Sequence, residues 1–328
     1  MPQDDGLISP PLTGSNLQKA VTTIKEQRPV LAEGLLYQDT ILMLSADPGV
    51  GKSTLSTQAS IELSAGQPVF GVFEVPKPLK VLYIQTERAL TEYLERLQIL
   101  KDLIPTNYDN LMVTDEYQRL NLLNPKHSEI FIKSIVLNCK GVDVIIIDPI
   151  YPLVAGGLKD DLPASIFTKV MSTLQSETRA TLWYNHHNTK AQYARDGAKI
   201  EKEDPFYGST WLKAHCTGSF MITKDEKGTK WTKKKDNYSV LVDHFNLEYD
   251  QETGLSRTVM DDLPVVERFR MFLEQMKKQD KTFTFDDIVK VCKVSPRCAR
   301  RHMVHSSFAN AIFCVSTNKR KKIYKFGG

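Results

Sequence analysis

From residue 34 to about residue 260, short apolar runs alternate with amphipathic stretches, the pattern left by a mainly parallel sheet flanked by helices. Four runs read as strands buried on both faces: residues 40–44, Val81–Gln85, Val144–Asp148 and residues 181–185 are short, apolar and mostly β-branched. Helices are expected between them, at residues 53–65, at Leu90–Leu100 and at residues 163–177, where Ile166, Val170 and Leu174 recur every fourth position. Residues 188–206 are polar without a clear period and read as a long loop, a feature that inside a compact domain is usually functional. Residues 1–33 hold polar turns and one short helical stretch at 16–26, and read as an arm. Residues 264–328 run in a different order. Helical periods at 265–279, 285–292 and 295–307 precede strand-like residues 311–315 and 323–326. Three units are therefore expected, an arm (1–33), an α/β domain (34–260) and a small C-terminal helix-and-hairpin domain (264–328).

Composition narrows the class. A chain of 328 residues suits about two domains at roughly 100–200 residues each. With 41% hydrophobic and 25% charged residues, the chain is expected to fold as an ordinary soluble globular protein. No apolar run of membrane-spanning length occurs, and the first fifteen residues lack the basic-then-apolar pattern of a secretory leader, so a cytoplasmic location with no membrane partner is expected. The five cysteines are scattered with no CxxC pair, which argues against a disulfide framework or a zinc site. Charge is unevenly placed. From Pro264 to Gly328 there are fifteen Lys/Arg against five Asp/Glu, a net +10, whereas the rest of the chain carries 28 basic and 34 acidic residues, a net −6. Concentrated positive charge of this kind is an electrostatic footprint for nucleic acid, although a solvated basic tail has the same composition.

The sharpest chemical signal is Ala46-Asp47-Pro48-Gly49-Val50-Gly51-Lys52-Ser53, followed by Thr54. It fits [AG]xxxxGK[ST] and lies directly between an expected strand and an expected helix, the context that gives this pattern its meaning. Gly49 and Gly51 let the backbone curl so that successive N–H groups face a phosphate, Lys52 reaches the terminal phosphates, and Ser53 offers its hydroxyl to Mg2+. A second carboxylate is needed at the end of a neighbouring apolar strand to order the metal, and Asp148 closes Val144-Ile145-Ile146-Ile147-Asp148. Glu87 follows the strand Val81–Gln85 at the carboxyl edge of the sheet, where open α/β folds bind ligands. It could polarise an attacking water, or serve as a first-turn glutamate favourable to a helix dipole. His186 and His187 follow the last apolar strand at the same edge, where a neutral imidazole could sense a γ-phosphate.

Several stretches together resemble an AAA ATPase of the RecA/DnaB-like P-loop group, and more closely the RepA-like hexameric plasmid replicative helicases. They are the phosphate loop, Val81-Leu82-Tyr83-Ile84-Gln85-Thr86-Glu87 with Arg96 on the next helix, the Asp148 strand, Trp183-Tyr184-Asn185-His186-His187, and Gly208-Ser209-Thr210. The resemblance covers about residues 34–238. It implies a RecA-like core, ATP and Mg2+ as ligands, and a homo-oligomeric ring, a hexamer. It also implies Glu87 as the catalytic base and one of the tandem histidines, His186 first, at the γ-phosphate. A basic pair near the domain's end reaches the neighbouring subunit's nucleotide in that family. Lys233-Lys234-Lys235-Asp236-Asn237-Tyr238 is similar, Lys235 matching best and Lys233 second, but no arginine occupies it.

The C-terminal unit departs from the simplest family pattern. Its order is that of a winged helix-turn-helix, with Arg297, Arg300, Arg301 and His302 on the recognition helix and Lys319, Arg320, Lys321 and Lys322 at the wing tip. Such a module binds double-stranded DNA or docks on protein, and the +10 charge favours DNA. Lys190, Tyr193, Arg195 and Lys199 in the long loop could contact single-stranded DNA in a ring channel. The expected activity is a DNA-dependent ATPase acting as a replicative helicase of a plasmid, phage or other mobile element. Two alternatives stay open, an ATP-switched DNA-binding regulator or loader that unwinds nothing, and a recombinase-like filament ATPase.

Overall fold

The near-continuous apolar runs become the middle of one nine-stranded sheet. The structure is a computed structural model and describes residues 13–23, 29–155, 157–158, 160–188, 192–193, 199–200, 210–226, 228–239, 241–259, 265–293, 295–305, 312–318 and 321–326. Helix α1 (Gly14–Thr23) precedes a small pair, β1 (Val30–Ala32) and β2 (Leu36–Tyr37). The central region then runs β3 (Ile41–Ala46), α2 (Lys52–Ala65), β4 (Val81–Gln85), α3 (Leu90–Leu100), β5 (Leu111–Thr114), α4 (Pro125–Asn138), β6 (Val144–Asp148), α5 (Asp161–Thr178) and β7 (Thr181–His187). After it come β8 (Gln192–Tyr193), β9 (Lys199–Ile200), α6 (Thr210–His215), β10 (Gly218–Lys224), β11 (Gly228–Asp236), β12 (His244–Tyr249) and β13 (Ser256–Thr258). The C-terminal unit is α7 (Val265–Lys278), β14 (Phe283–Thr284), α8 (Phe285–Val291), α9 (Pro296–His305), β15 (Ile312–Asn318) and β16 (Lys321–Phe326).

The sheet order is β13-β12-β11-β10-β3-β7-β6-β4-β5. From β10 through β5 the pairing is parallel, and β10 to β13 add an antiparallel meander at one edge. Period-two alternation explains the apolar runs. Leu42, Leu44, Val81, Tyr83, Val144 and Ile146 face one layer with Leu55, Ala59, Tyr93 and Leu97 of α2 and α3. Ile41, Met43, Leu82, Ile84, Ile145 and Ile147 face the other with Phe131, Ile135, Phe167 and Leu174 of α4 and α5. A strand covered on both sides has no polar position to spare. The meander has the opposite signature, its inner face carrying Phe220, Trp231 and Phe245, whose ring centroids lie 4.9–5.8 Å apart. Between them stand Thr and Lys residues, which is why these strands escape a search for unbroken apolar runs.

Of the expected elements, β4, α3 and β6 fall where the pattern placed them, and β7 extends two residues beyond 185 to take in both histidines. The interval 188–206, expected to be without secondary structure, contains β8 and β9 as an antiparallel pair. Lys190 and Arg195 lie outside the described residues, as do Gly208, Ser209, Lys319 and Arg320.

Residues 265–326 form their own core from Phe269, Phe272, Leu273, Phe283, Ile288, Cys292, Ala299 and Phe326. Three helices lean on a three-stranded sheet of order β14-β16-β15. Thr284 and Asp287 make a reciprocal capping box that starts α8. Helix α7 also meets the larger unit. The Arg270 guanidinium is buried and donates to Val72 O at 3.2 Å and to Glu33 Oε2 at 3.3 Å.

Helix α2 is buried almost all round, so its polar residues need partners inside the protein. Gln58 exchanges two hydrogen bonds of 2.8 Å with the backbone of Ser256, tying α2 to β13. Glu62 accepts from Phe70 N and Gln58 Nε2, and Arg257 approaches it at 3.6 Å. Burial dominates these contacts and pushes the Glu62 carboxyl up to about 7. A folded-state value above the unfolded one means that the contribution to stability is fully present below about pH 4.5 and is lost as pH rises through about 7. Stability should therefore fall across that window, by about 3 kcal/mol from this group. Glu62→Gln should flatten the fall, read as the difference in urea unfolding between pH 5 and pH 8. An equal pH slope in both proteins would show that Glu62 titrates normally.

Candidate active site

The chain leaves β3 at Ala46 and must reverse into α2 within five residues. Gly49 (φ 80°) and Gly51 (φ 104°) supply the left-handed backbone for this, and a Cβ on either would meet no atom within 4 Å. Glycine is required there by conformation, and the space over the loop is open. The resulting turn points the N-terminus of α2 into a cleft lined by Gly49, Gly51, Lys52, Ser53, Thr54, Glu87, Arg88, Arg96, Asp148, Pro149 and His187. Positive φ at Gly49 and Gly51 and an open helix N-terminus are what a bound polyphosphate needs, so the loop fits the ligand its sequence implies.

Lys52 is buried in that cleft. Its Nζ donates to Ala46 O at 2.9 Å and to Asp47 O at 3.4 Å, and lies 3.4 Å from His187 Nδ1. Burial lowers its pKa to about 8, against the opposing pull of Asp148, Asp47 and Glu87. Asp148 is nearly inaccessible, and each carboxylate oxygen takes one neutral donor: Tyr83 OH to Oδ2 at 2.5 Å and Asn185 Nδ2 to Oδ1 at 2.8 Å. Asn185 in turn exchanges hydrogen bonds with Ser56 Oγ and accepts from Trp183 Nε1. The carboxylate is fixed by groups on α2, β4 and β7, which leaves it able to hold a hydrated cation together with the Ser53 hydroxyl. A bound Mg2+ would supply charge neutralisation for the phosphates there.

Parallel register sets the next residue. Gln85 pairs with Asp148, and Thr86 continues the ladder by donating its N–H to Asp148 O and its hydroxyl to Pro149 O. The two chains therefore leave the sheet side by side, and Glu87 emerges beside residues 149–151. Its Oε1 accepts from Tyr151 OH at 2.9 Å, and its Oε2 lies 3.9 Å from His187 Nε2. His187 is held below its ordinary pKa, by burial first and by Lys52 second, so it is a neutral imidazole at pH 7.

Of the tandem histidines, His187 lines the cleft, whereas His186 is fully buried. Alternation along β7 decides this, because the strand runs on through both residues. Asn188 closes the edge by donating its N–H to Ala46 O and its amide to Asp47 Oδ1. Two cleft residues were given no role by the motif, Arg88, paired with Glu92 at 2.6 Å, and Arg96, whose Nη1 is buried without a hydrogen bond among the described residues.

The basic stretch of β11 is only partly as expected. Lys235 Nζ donates to Lys213 O and Ala214 O at the end of α6, and Lys233 pairs with Asp243 at 2.7 Å. Both are engaged within their own chain. Ser219 pairs with Lys235 and Phe220 with Lys233, so Lys234 is the extra residue of a β-bulge, and it is exposed. In the C-terminal unit Arg297 is exposed and the Arg300 guanidinium lies 5.5 Å from the Phe285 ring centroid. Arg301 lies on α9, and Lys321 and Lys322 on β16.

Residues 13–193 match the AAA domain family (AAA_25), more than half of the chain. The chain belongs to that family. This AAA domain protein is a P-loop ATPase, and its large, mainly parallel sheet is a RecA-like core. The solved structures that match the chain include two at 11% identity. A DnaB-like replicative helicase, determined in a study of its interactions with primase, is 11% identical at a TM-score of 0.52, over 77% of this chain and 68% of that one. A KaiC-like protein from the hyperthermophilic archaeon Pyrococcus horikoshii OT3 is 11% identical at a TM-score of 0.48, over 71% of this chain and 99% of that one. Among curated proteins, none matches the chain in sequence. Among the described residues no helix is long and apolar enough to cross a membrane.

Proposed function

We propose that this AAA domain protein is a DNA-dependent ATP hydrolase of the RepA/DnaB-like helicase type, working as a homo-oligomeric ring, a hexamer, in replication of a plasmid, phage or other mobile element. The observation that carries the reading is the convergence of Lys52, Ser53, Asp148, Glu87 and His187 on one cleft at the carboxyl edge of the parallel sheet. In this reading residues 47–54 bind the triphosphate, Ser53 and Asp148 hold Mg2+, Glu87 takes the proton of the attacking water, and His187 reports the γ-phosphate. Arg96 supplies a cation within the same chain.

A further cation reaches the phosphate from the neighbouring subunit, and we assign it to Lys234, because Lys233 and Lys235 are already bonded in their own chain. Residues 34–260 are the motor. Residues 264–328 are a winged helix that binds double-stranded DNA through Arg297, Arg300 and Arg301 on α9 and residues 319–322 at the hairpin. The support is the order of three helices and a three-stranded sheet together with the net +10 charge.

The test is steady-state ATP turnover against protein concentration, with and without single-stranded DNA, while particle mass is followed. Turnover per chain is expected to rise with assembly and with DNA by at least about tenfold, and Lys234→Ala to lose most of the rise with its mass unchanged. Slow turnover, indifferent to both concentration and DNA, would sink the motor reading and leave an ATP-switched DNA-binding protein.

A further inference from the structure

Tyr151 stands against the cleft residues Glu87 and His187, in the one-turn segment Tyr151–Leu153 that follows β6. Its hydroxyl donates to Glu87 Oε1 at 2.9 Å, the one hydrogen bond that the Glu87 carboxylate receives among the described residues. Its ring lies 5.4 Å from the His187 ring, inclined by 60°. Three side chains from the exits of three adjacent strands, β4, β6 and β7, thus touch one another. Neither the phosphate-loop pattern nor the two acidic strand ends points to the middle one.

We infer that Tyr151 is a positioning residue for ATP hydrolysis, holding the Glu87 carboxylate by one oxygen so that the other is aimed at the water to be deprotonated. The inference rests on Glu87 being the base, as proposed above. A glutamate side chain that is 42% exposed has several rotamers open to it, and a general base must lie within about 2.6–3.2 Å of the oxygen whose proton it takes. Tyr151 can impose that position because its own backbone is fixed. Ile150 N donates to Asn185 O, Val154 N to Tyr151 O, and Leu122 N to Leu153 O, while Leu153 and Val154 are buried. Its phenol is also a permanent donor. Burial, and then the Glu87 carboxylate, push its pKa up to about 12, so the proton stays on the tyrosine when Glu87 acts. The neutral His187 cannot replace it, since at 3.9 Å it makes no hydrogen bond to Oε2.

Tyr151→Phe removes the donor and keeps the ring against His187. In the full-length protein, saturated with ATP and Mg2+, kcat is expected to fall roughly 10- to 100-fold, the usual worth of a hydrogen bond to a charged group. KM for ATP and nucleotide Kd should stay within about twofold, and Tm should be unchanged. The deciding measurement is the double variant. If the hydroxyl acts only through the Glu87 carboxylate, Tyr151→Phe lowers turnover no further in a Glu87→Gln background, read in single turnovers at high enzyme concentration. Full turnover by Tyr151→Phe, beside an inactive Glu87→Gln, overturns the positioning role and leaves the base intact. Independent, multiplying losses in the double variant overturn it as well, because the tyrosine then acts elsewhere. Normal turnover by Glu87→Gln removes the base itself, and the inference falls with it.

Discussion

Glu87→Gln is expected to lower the rate of ATP hydrolysis by about 10²–10⁴-fold, the usual contribution of a general base, while nucleotide still binds. The substitution is nearly isosteric. The amide oxygen can still accept from Tyr151 OH, so the exit of β4 keeps its path beside residues 149–151. What disappears is the acceptor for a proton. Lys52, Ser53 and Asp148 are untouched, so affinity for ATP in the presence of Mg2+ should change by less than about threefold, and ATP-dependent assembly should persist. Equilibrium binding of a fluorescent ATP analogue, alongside phosphate release in a single turnover, separates the two effects. If binding and turnover fall together, Glu87 is part of the phosphate cradle, and the base must be sought elsewhere around the cleft.

The phosphate loop was legible because what it requires is local. A positive φ at Gly49 and Gly51, and a helix starting at Lys52, are demanded by residues within one turn of each other. Asp148 was legible for a related reason, since a carboxylate ending a run buried on both faces needs an explanation in sequence terms. The groups that hold it were not. Tyr83 and Asn185 reach Asp148, and Ser56 reaches Asn185, only because the strands order themselves β7-β6-β4 with α2 across them, and nothing in four separate apolar runs states that order. The choice between His186 and His187 turned on where β7 stops. A strand ending at 185 leaves both histidines in the loop, whereas one reaching His187 buries the first and presents the second. The setting of Lys234, the residue proposed to act across subunits, was hidden by a bulge. Regular alternation would give Lys233 and Lys235 one face and Lys234 the other, and the extra residue in β11 changes what each one meets. Tyr151 lay in an unremarked Ile-Tyr-Pro-Leu segment, and it became visible only when the register Gln85↔Asp148 set its hydroxyl against Glu87.

Lys52→Met is expected to weaken ATP binding by on the order of 10²-fold or more, because the ammonium is the charge-assisted donor available to the terminal phosphates inside the cleft. The fold should survive. Ala46 O, which Lys52 Nζ contacts, also accepts from Asn188 N, and methionine keeps the apolar stem that the buried site requires. A second consequence separates the charge from its shape. Burial has lowered the Lys52 pKa to about 8, so near that pH only half of the free protein carries the ammonium. Anionic phosphates favour the protonated form, and binding above pH 8 must therefore take up a proton. Affinity for ATP should fall as pH rises from 8 to 9, by at most about tenfold per unit, and hold steady from 7 to 7.5. The nucleotide does not contribute to this slope, since a terminal phosphate with a pKa near 6 is already ionised. Lys52→Met should bind weakly with no slope over the same range. A wild-type affinity that stays level through pH 9 would mean that Asp148, Asp47 and Glu87 hold the ammonium charged despite its burial.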